Sequence, residues 1–398
     1  MRISTMTMYN QSNTSMNRQQ TEFLKISQQI ASAKRIVNIS DDPQAMTQAI
    51  NIQQSKAVSG QYDQARIGVR NALSQEESVL NSVSDVYSRA KELLIQASSD
   101  TMSDADRASI ASELEGAYQS LLGLANTRDG NGRYLFAGYQ DDSPAFAAGA
   151  DGAVQYVGND QVRQQKIDGD RLVDVGHIGA DIFDRVHSSA NYLADAPLTN
   201  QGTLEFGNIA ITDVDAAGFG DAFDIEFADN GGAMQYRVNG GAWEDYTDPM
   251  TVSLAGVAIE LKGQPAAGDS LRVARGAENN TNIFRTFEKA MAVLDAPATD
   301  ASSKAIRANT LRTVMREFDN GLDNVLTTRA EVGASLNELD ALDAIAGNRE
   351  LAYEQALSQL VDLDYVEAAS QYSVRMVGLQ AAQKAFVDMK GMSLFNFL

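Results

Sequence analysis

With two histidines and no cysteine, this 398-residue chain has few residues that could carry covalent or redox chemistry. The missing thiol removes disulfides, thiolate metal sites and cysteine nucleophiles together. His177 and His187 fall in what reads as loop, and no H-E-x-x-H pattern sets two imidazoles on one helical face, so both are expected as surface residues rather than ligands. Asp41-Asp42-Pro43 offers two adjacent carboxylates to a hard cation. The same triplet is also how a helix begins, because the aspartate accepts orphan N–H groups and proline lacks a donor where none is needed. Asp129-Gly130-Asn131-Gly132 has neither the Gly-Lys-Ser/Thr of a phosphate loop nor the ligand ladder of a calcium loop, and it reads as a turn. No catalytic, metal or cofactor constellation emerges, and the expectation is a protein that is not an enzyme.

The informative spacing is apolar. Tyr365, Tyr372, Leu379 and Phe386 recur every seventh residue near the C-terminus, with Ala368, Ala382 and Met389 three places on. Such a pattern draws one seam along a helix. At the other end Tyr9, Met16, Phe23 and Ile30 keep the same step, although the residues between are Asn, Gln and Ser. A helix that polar gains little without packing. Leu394 and Phe397 add large apolar groups at the chain end. These ten residues are the candidate assembly interface, half a coiled coil at each terminus.

Between the ends, a long helix should start at Pro43, with a 4-3 seam through Val69, Leu73, Leu80, Val83, Tyr87, Ala90, Leu94 and Ala97 that only Glu76 interrupts. Ser103, with Asp106 three residues on, caps a second helix through Ile110, Leu114, Ala117, Leu121 and Leu124. Composition then shifts: 21 of the 30 glycines lie between Gly130 and Gly276, which predicts β structure. Expected strands include Arg133–Gly138, Val154–Val157, Thr203–Phe206, Phe223–Phe227, Met234–Val238 and Val257–Leu261, with Asn230-Gly231-Gly232 and Asn239-Gly240-Gly241 as hairpin turns. Gly179 to Pro197 is expected to separate two groups of strands. Helix returns through Ile283, Phe284, Phe287, Met291 and Leu294 and breaks at Pro297. The seam beyond it is Leu311, Phe318, Val325, Val332 and Leu339, interleaved with Met315, Leu322, Arg329 and Leu336, and a last helix is expected from about Arg349.

The fold class that follows is α+β: an elongated coiled-coil rod built from both ends of the chain, with an inserted antiparallel all-β region in the middle. Residues 1–42 and 350–398 would form a terminal helical assembly domain, 43–130 and 281–349 the rod, and 131–280 the β insert, divisible into 131–184 and 190–280. The formal net charge of −21 opposes nucleic-acid and anionic-membrane partners. Residues 1–40 depart from it, carrying Arg2, Arg18, Lys25, Lys34 and Arg35 against Glu22 alone, as segments packed among copies of themselves would need. No run approaches the ~20 apolar residues of a membrane span. Met1 to Asn10 lacks the apolar core of a signal peptide, so any export is expected to leave the N-terminus on.

Several stretches resemble the flagellin-like family of bacterial axial proteins. Arg35-Ile36-Val37-Asn38-Ile39-Ser40-Asp41-Asp42-Pro43 is similar to its N-terminal signature, although Ala33-Lys34-Arg35 stands where the pattern commonly has a glycine before its basic residue. Tyr134-Leu135-Phe136-Ala137-Gly138 resembles its rod-to-β junction, Arg329-Ala330-Glu331-Val332-Gly333-Ala334 its C-terminal rod signature, and Gly263 to Ser270 a segment recurring in axial proteins. Leu379 to Phe386, with Met392-Ser393-Leu394-Phe395-Asn396-Phe397-Leu398, resembles the close of the hook-associated members. The resemblance implies a structural role at the junction between hook and filament. It also implies hook-associated protein 1 and flagellin as axial neighbours, self-association within the junction layer, a cytoplasmic export chaperone and export through the flagellar type III apparatus to an extracellular position. A filament subunit and a secreted coiled-coil adhesin with a β head are the alternatives. The first shares both terminal signatures; the second explains the seams but not the paired signatures.

Overall fold

Most helices in the computed structural model begin where the sequence supplies a side chain for the first free N–H groups. The structure describes residues 5–150, 152–186 and 191–391. Helix α1 spans Thr5–Ser32 and α2 spans Pro43–Ala97, where Asp42 Oδ1 accepts the Ala45 N–H at 3.0 Å. Helix α3, Asp104–Ala125, opens on a reciprocal capping box between Ser103 and Asp106. Asn282 Oδ1 accepts from Phe284 and Arg285 at the start of α4, Ile283–Asp295. Asp300 does the same for Ser303 at 2.7 Å ahead of α5, Ala301–Val361, and Asp364 for Val366 at 2.9 Å ahead of α6, Tyr365–Gly391. The break expected near Arg349 is absent: α5 continues through the helix-forming run Ala341–Ala346, and the chain turns at Asp362-Leu363 instead.

Close contacts divide the chain into two units. One is Met1–Gln64 with Asp340–Leu398; the other is Ala65–Leu339. The second holds the large core. Leu73, Leu80, Val83, Tyr87, Leu94, Leu311, Phe318, Val325 and Val332 are buried, and Tyr87 meets Phe318 edge-on at 5.9 Å. The interleaved positions of α5 differ from expectation, because Met315, Leu322, Arg329 and Leu336 are half-buried while Val314, Gly321 and Thr328 are buried. Gly321 explains the one-residue slip. A Cβ there would stand 3.3 Å from both the Tyr87 ring and Ile283 Cδ1, so the large tyrosine fills the space a side chain would need. In the same unit, Tyr118 of α3 packs edge-on against Phe284 and Phe287 of α4.

The middle of the chain is antiparallel sheet. Two hairpins come first: β1 (Phe146–Ala148) with β2 (Val154–Tyr156), and β3 (Gln164–Asp168) with β4 (Arg171–Asp174). A π-helical turn, Ala180–Asp184, follows. Next come β5 (Tyr192–Asp195), β6 (Glu205–Ile211), β7 (Phe223–Asn230), β8 (Ala233–Val238), β9 (Glu244–Asp245), β10 (Met250–Leu254), β11 (Val257–Lys262) and β12 (Ser270–Arg275). They form a five-stranded sheet in the order β5-β12-β7-β8-β9 and a three-stranded sheet β10-β11-β6. Phe206, Ile225, Phe227, Val252, Ile259, Leu261, Leu271 and Val273 share one core across these strands.

The β7–β8 hairpin turns through Gly231 and Gly232 at φ 69° and 97°, and Asn239 and Gly240 turn at φ 50° and 71°, the left-handed values such sequences accept. Arg133–Gly138 is not a strand. Phe136 is drawn into an aromatic cluster with Phe183, and the Leu135 and Tyr134 N–H groups are taken by Thr127 and Asp141 carbonyls, leaving only an isolated bridge to Arg128. Tyr192–Asp195 pairs with β12 inside the stretch expected to be a separator.

Candidate assembly interface

Helices α1 and α6 pack antiparallel. The Tyr9 and Phe386 rings lie 5.5 Å apart, and the Phe23 and Tyr372 rings 5.0 Å. The same register sets Met16 at the level of Leu379 and Ile30 at Tyr365. An ion pair between Arg375 and Glu22 fixes it, and Gly378 lets Gln19 approach, since a Cβ would lie 3.1 Å from Gln19 Oε1. Eight of the ten seam residues named from the sequence thus come together within one chain; Leu394 and Phe397 lie outside the described residues.

The pair is shallow. Met16, Phe23, Ile30, Tyr372, Leu379 and Phe386 are half-buried, while Tyr9 and Tyr365 remain 44% and 56% exposed. Among the described residues of this unit, only Ile26, Ile36, Ala45, Ala49 and Ala368 are buried apolar groups. The opposite face of α6 carries Val366, Val374 and Val377 at 83%, 66% and 60% exposure. β-Branched residues are poor choices for a solvated helix face. Seam counting by sevens missed them; their own signal was a separation of eight and then three residues.

Both helix breaks meet beside this pair. Lys34 and Asp362 form an isolated antiparallel bridge, and the Arg35 N–H reaches the Val361 carbonyl at 2.8 Å. Arg35 Nη2 also donates to the Leu360 carbonyl at 2.6 Å. Asp41 Oδ2 accepts the Val37 and Asn38 N–H groups at 3.2 and 3.0 Å, and Lys25 stands 2.8 Å from its other oxygen. The Lys25 hydrogen bond, followed by those backbone donors, holds the Asp41 carboxyl below the usual range. The aspartate pair therefore organises a loop and a cap. Asp129 likewise closes a turn, accepting from Asn131 and Arg133 at 2.8 and 2.9 Å.

His177 departs from its expected surface position. It is half-buried, with Nδ1 2.9 Å from Glu76 Oε1, so the acidic interruption of the α2 seam and the histidine explain each other. His187 lies outside the described residues. No group of three or more His, Asp or Glu residues among the described residues is arranged to hold a metal. A cavity of about 790 Å³ between α4 and the start of α5 has Lys289 paired to Glu317 and Arg307 paired to Asp104. No helix among the described residues is long and apolar enough to cross a membrane.

Residues 3–141 match the bacterial flagellin N-terminal helical region. The flagellar hook-associated protein 3 of Escherichia coli is 33% identical over 397 residues, covering 100% of this chain and 99% of that protein. Its Salmonella typhimurium counterpart is 31% identical with the same coverage. Among solved structures, Xanthomonas campestris FlgL superposes with a TM-score of 0.68 at 28% identity, over 77% of this chain and 99% of that one.

Proposed function

The chain belongs to the flagellar hook-associated protein 3 family of structural flagellar components, and from that premise we propose that it forms the junction between hook and filament through its terminal helices. The observation that carries this reading is the thin core of the terminal unit. Its α1–α6 pair buries few apolar groups yet leaves a row of valines in water, an economy that suits helices completed by neighbouring subunits. Tyr9, Met16, Phe23, Ile30, Tyr365, Tyr372, Leu379 and Phe386 build the pair, and Leu394 and Phe397 belong to the same assembly segment. Residues 1–42 and 350–398 act as the assembly domain, 43–130 and 281–349 as the rod, and 131–280 as the β-rich insert. Axial neighbours are hook-associated protein 1 on one side and flagellin on the other, with copies of this chain within the layer. A cytoplasmic chaperone delivers the chain to the flagellar export route, which carries it outside the cell. No enzymatic step is involved. A filament subunit or an adhesin is the weaker reading, because the relatives similar over the whole length are hook-associated proteins.

Two double variants test the assignment. Leu379→Asp with Phe386→Asp opens the α1–α6 pair, whereas Val374→Asp with Val377→Asp spares it and charges the free face. Each buried apolar side chain is worth roughly 1.5–3 kcal/mol, so each variant should cost several kcal/mol of assembly energy. Cells carrying either variant should build hooks, leak flagellin into the medium and yield the variant as soluble protein. Normal swimming by both would refute the interface. Long homopolymeric filaments grown from seeded wild-type protein would refute the junction.

A further inference from the structure

Three carboxylates and one imidazole meet where the chain leaves β4. His177 Nδ1 is 2.9 Å from Glu76 Oε1 of α2, and its Nε2 is 3.3 Å from Glu331 Oε2 of α5. The His177 backbone N–H also donates to Glu76 Oε1 at 3.1 Å. Asp174, at the end of β4, adds a third negative charge. Arg163 lines the same small cavity, but Asp141 holds its guanidinium at 2.8 Å.

A neutral imidazole has one N–H and one lone pair, so in either tautomer a ring nitrogen would present its lone pair to a carboxylate oxygen. Only the imidazolium donates to both acids at once. Because the two acids take opposite nitrogens, the cluster does not converge on a point where a metal ion could sit. Glu76 has more at stake than Glu331. It is 2% exposed in the apolar seam beside Leu73 and Leu80, and its Oε2 borders the cavity at Gly176, where a Cβ would come within 3.1 Å. An ionised carboxylate buried there needs the cation.

We propose that His177 is a proton-operated latch, closed as the imidazolium, that fastens the segment between β4 and the π-helical turn to both long helices of its unit. The latch bears on more than its own residues. The Gly179 N–H next along the segment reaches the Phe136 carbonyl at 2.8 Å, and the turn that follows is held by Asn324 of α5. Opening it therefore loosens the attachment of the first two hairpins.

The direction of the switch follows from the surroundings. Burial of the ring opposes protonation, but the hydrogen bond and charge of Glu76, with the charges of Glu331 and Asp174, outweigh it and raise the His177 pKa above its ordinary value. A basic group raised on folding adds stability that is whole below its unfolded pKa of about 6.5 and is lost as pH rises through the folded midpoint. The latch closes in mild acid and opens on the alkaline side.

Histidine ring NMR on the full chain, with His187→Gln to assign the two signals, reads the midpoint directly. His177 should titrate above free histidine. Amide exchange of residues 174–179, corrected for intrinsic rate, should accelerate through the same midpoint by about tenfold for each unit of elevation. Glu331→Gln, at a side chain 62% exposed, should lower the midpoint while leaving the fold intact. His177→Gln should abolish the pH dependence of exchange, and if that variant does not fold, Glu331→Gln alone decides. A midpoint at or below that of free histidine, or unchanged pH dependence in Glu331→Gln, would overturn the latch.

Discussion

Ala33 and Glu317 show how single residues bear strain and charge in this protein. Ala33 ends α1 at φ 58°, the left-handed region that favours glycine, so a residue with a side chain stands where it costs backbone energy. Ala33→Gly should raise stability by at most about 1 kcal/mol, the relief of strain being partly offset by the freer unfolded chain. A lower denaturation midpoint for the variant would contradict that account. Glu317 is buried in α5, accepting from Thr286 at 2.7 Å and from Asn280, with Lys289 3.0 Å away. Burial raises its pKa, and Lys289, Thr286 and Asn280 only partly offset it. Lys289→Met would strand the carboxylate, costing about 3 kcal/mol at neutral pH. Without its lysine Glu317 would protonate more readily in the folded state, so the loss should shrink as pH falls through its raised folded-state range, above the unfolded value of about 4.5. Urea unfolding of both proteins at pH 4 and pH 7 checks the sign; an equal loss at both would mean Glu317 is not the charge that lysine compensates.

At the level of elements, α5 carries two stripes. The apolar one, Leu311 to Leu339 by sevens, is legible in the sequence because large side chains announce it. The polar one is not. Asn309, Thr313, Glu317, Asn320 and Asn324 follow the same three-and-four spacing and are all buried, and four of them reach main-chain groups of the β region. Asn309 bridges the Leu204 carbonyl and the Phe206 N–H, and Asn324 Nδ2 meets the carbonyls of Asp181, Ile182 and Arg185. Periodicity methods weigh apolar residues, so a helix that docks a sheet through amides looks one-sided from sequence. The same blindness hid Gly321 and left β3, whose Gln164-Gln165-Lys166 faces water, without a strand signature. The terminal seams were readable for the opposite reason: large apolar residues recur at sevenfold spacing, at the N-terminal end against a background of Asn, Gln and Ser. What spacing could not supply was that the seams face each other within one chain. Asn324→Ala should cost about 1–3 kcal/mol and speed amide exchange in Ala180–Asp184, because three carbonyls lose their donor. Unchanged exchange there would mean the ladder is incidental to the docking.

Across the whole chain, the β5–β12 sheets are an insertion with their own core, and the main chain enters and leaves at one place. The Gly276 N–H donates to the Asn191 carbonyl at 3.1 Å, so the stretch Tyr192–Arg275 can be removed and closed by a short Gly/Ser linker without stretching the backbone. What the removal exposes is tolerable. Asn309 and Thr313 would trade main-chain partners for water, Arg312 would lose an exposed pair with Glu205, and Asn320 would keep the Asn191 carbonyl. The buried contacts among α2, α3, α4 and α5, from Tyr87 with Phe318 to Phe287 with Phe318 at 4.8 Å, all lie outside the deleted span. The shortened chain should therefore retain a cooperative urea transition, near-native helix content by circular dichroism and export from flagellated cells, and it should restore swimming to cells lacking the full chain. A deletion product without a cooperative transition would mean that the insert's sheets are part of the helical unit's folding core rather than an addition to it. A product that folds and is exported but fails to restore swimming would instead place part of the junction's work on the insert, while leaving its structural independence standing.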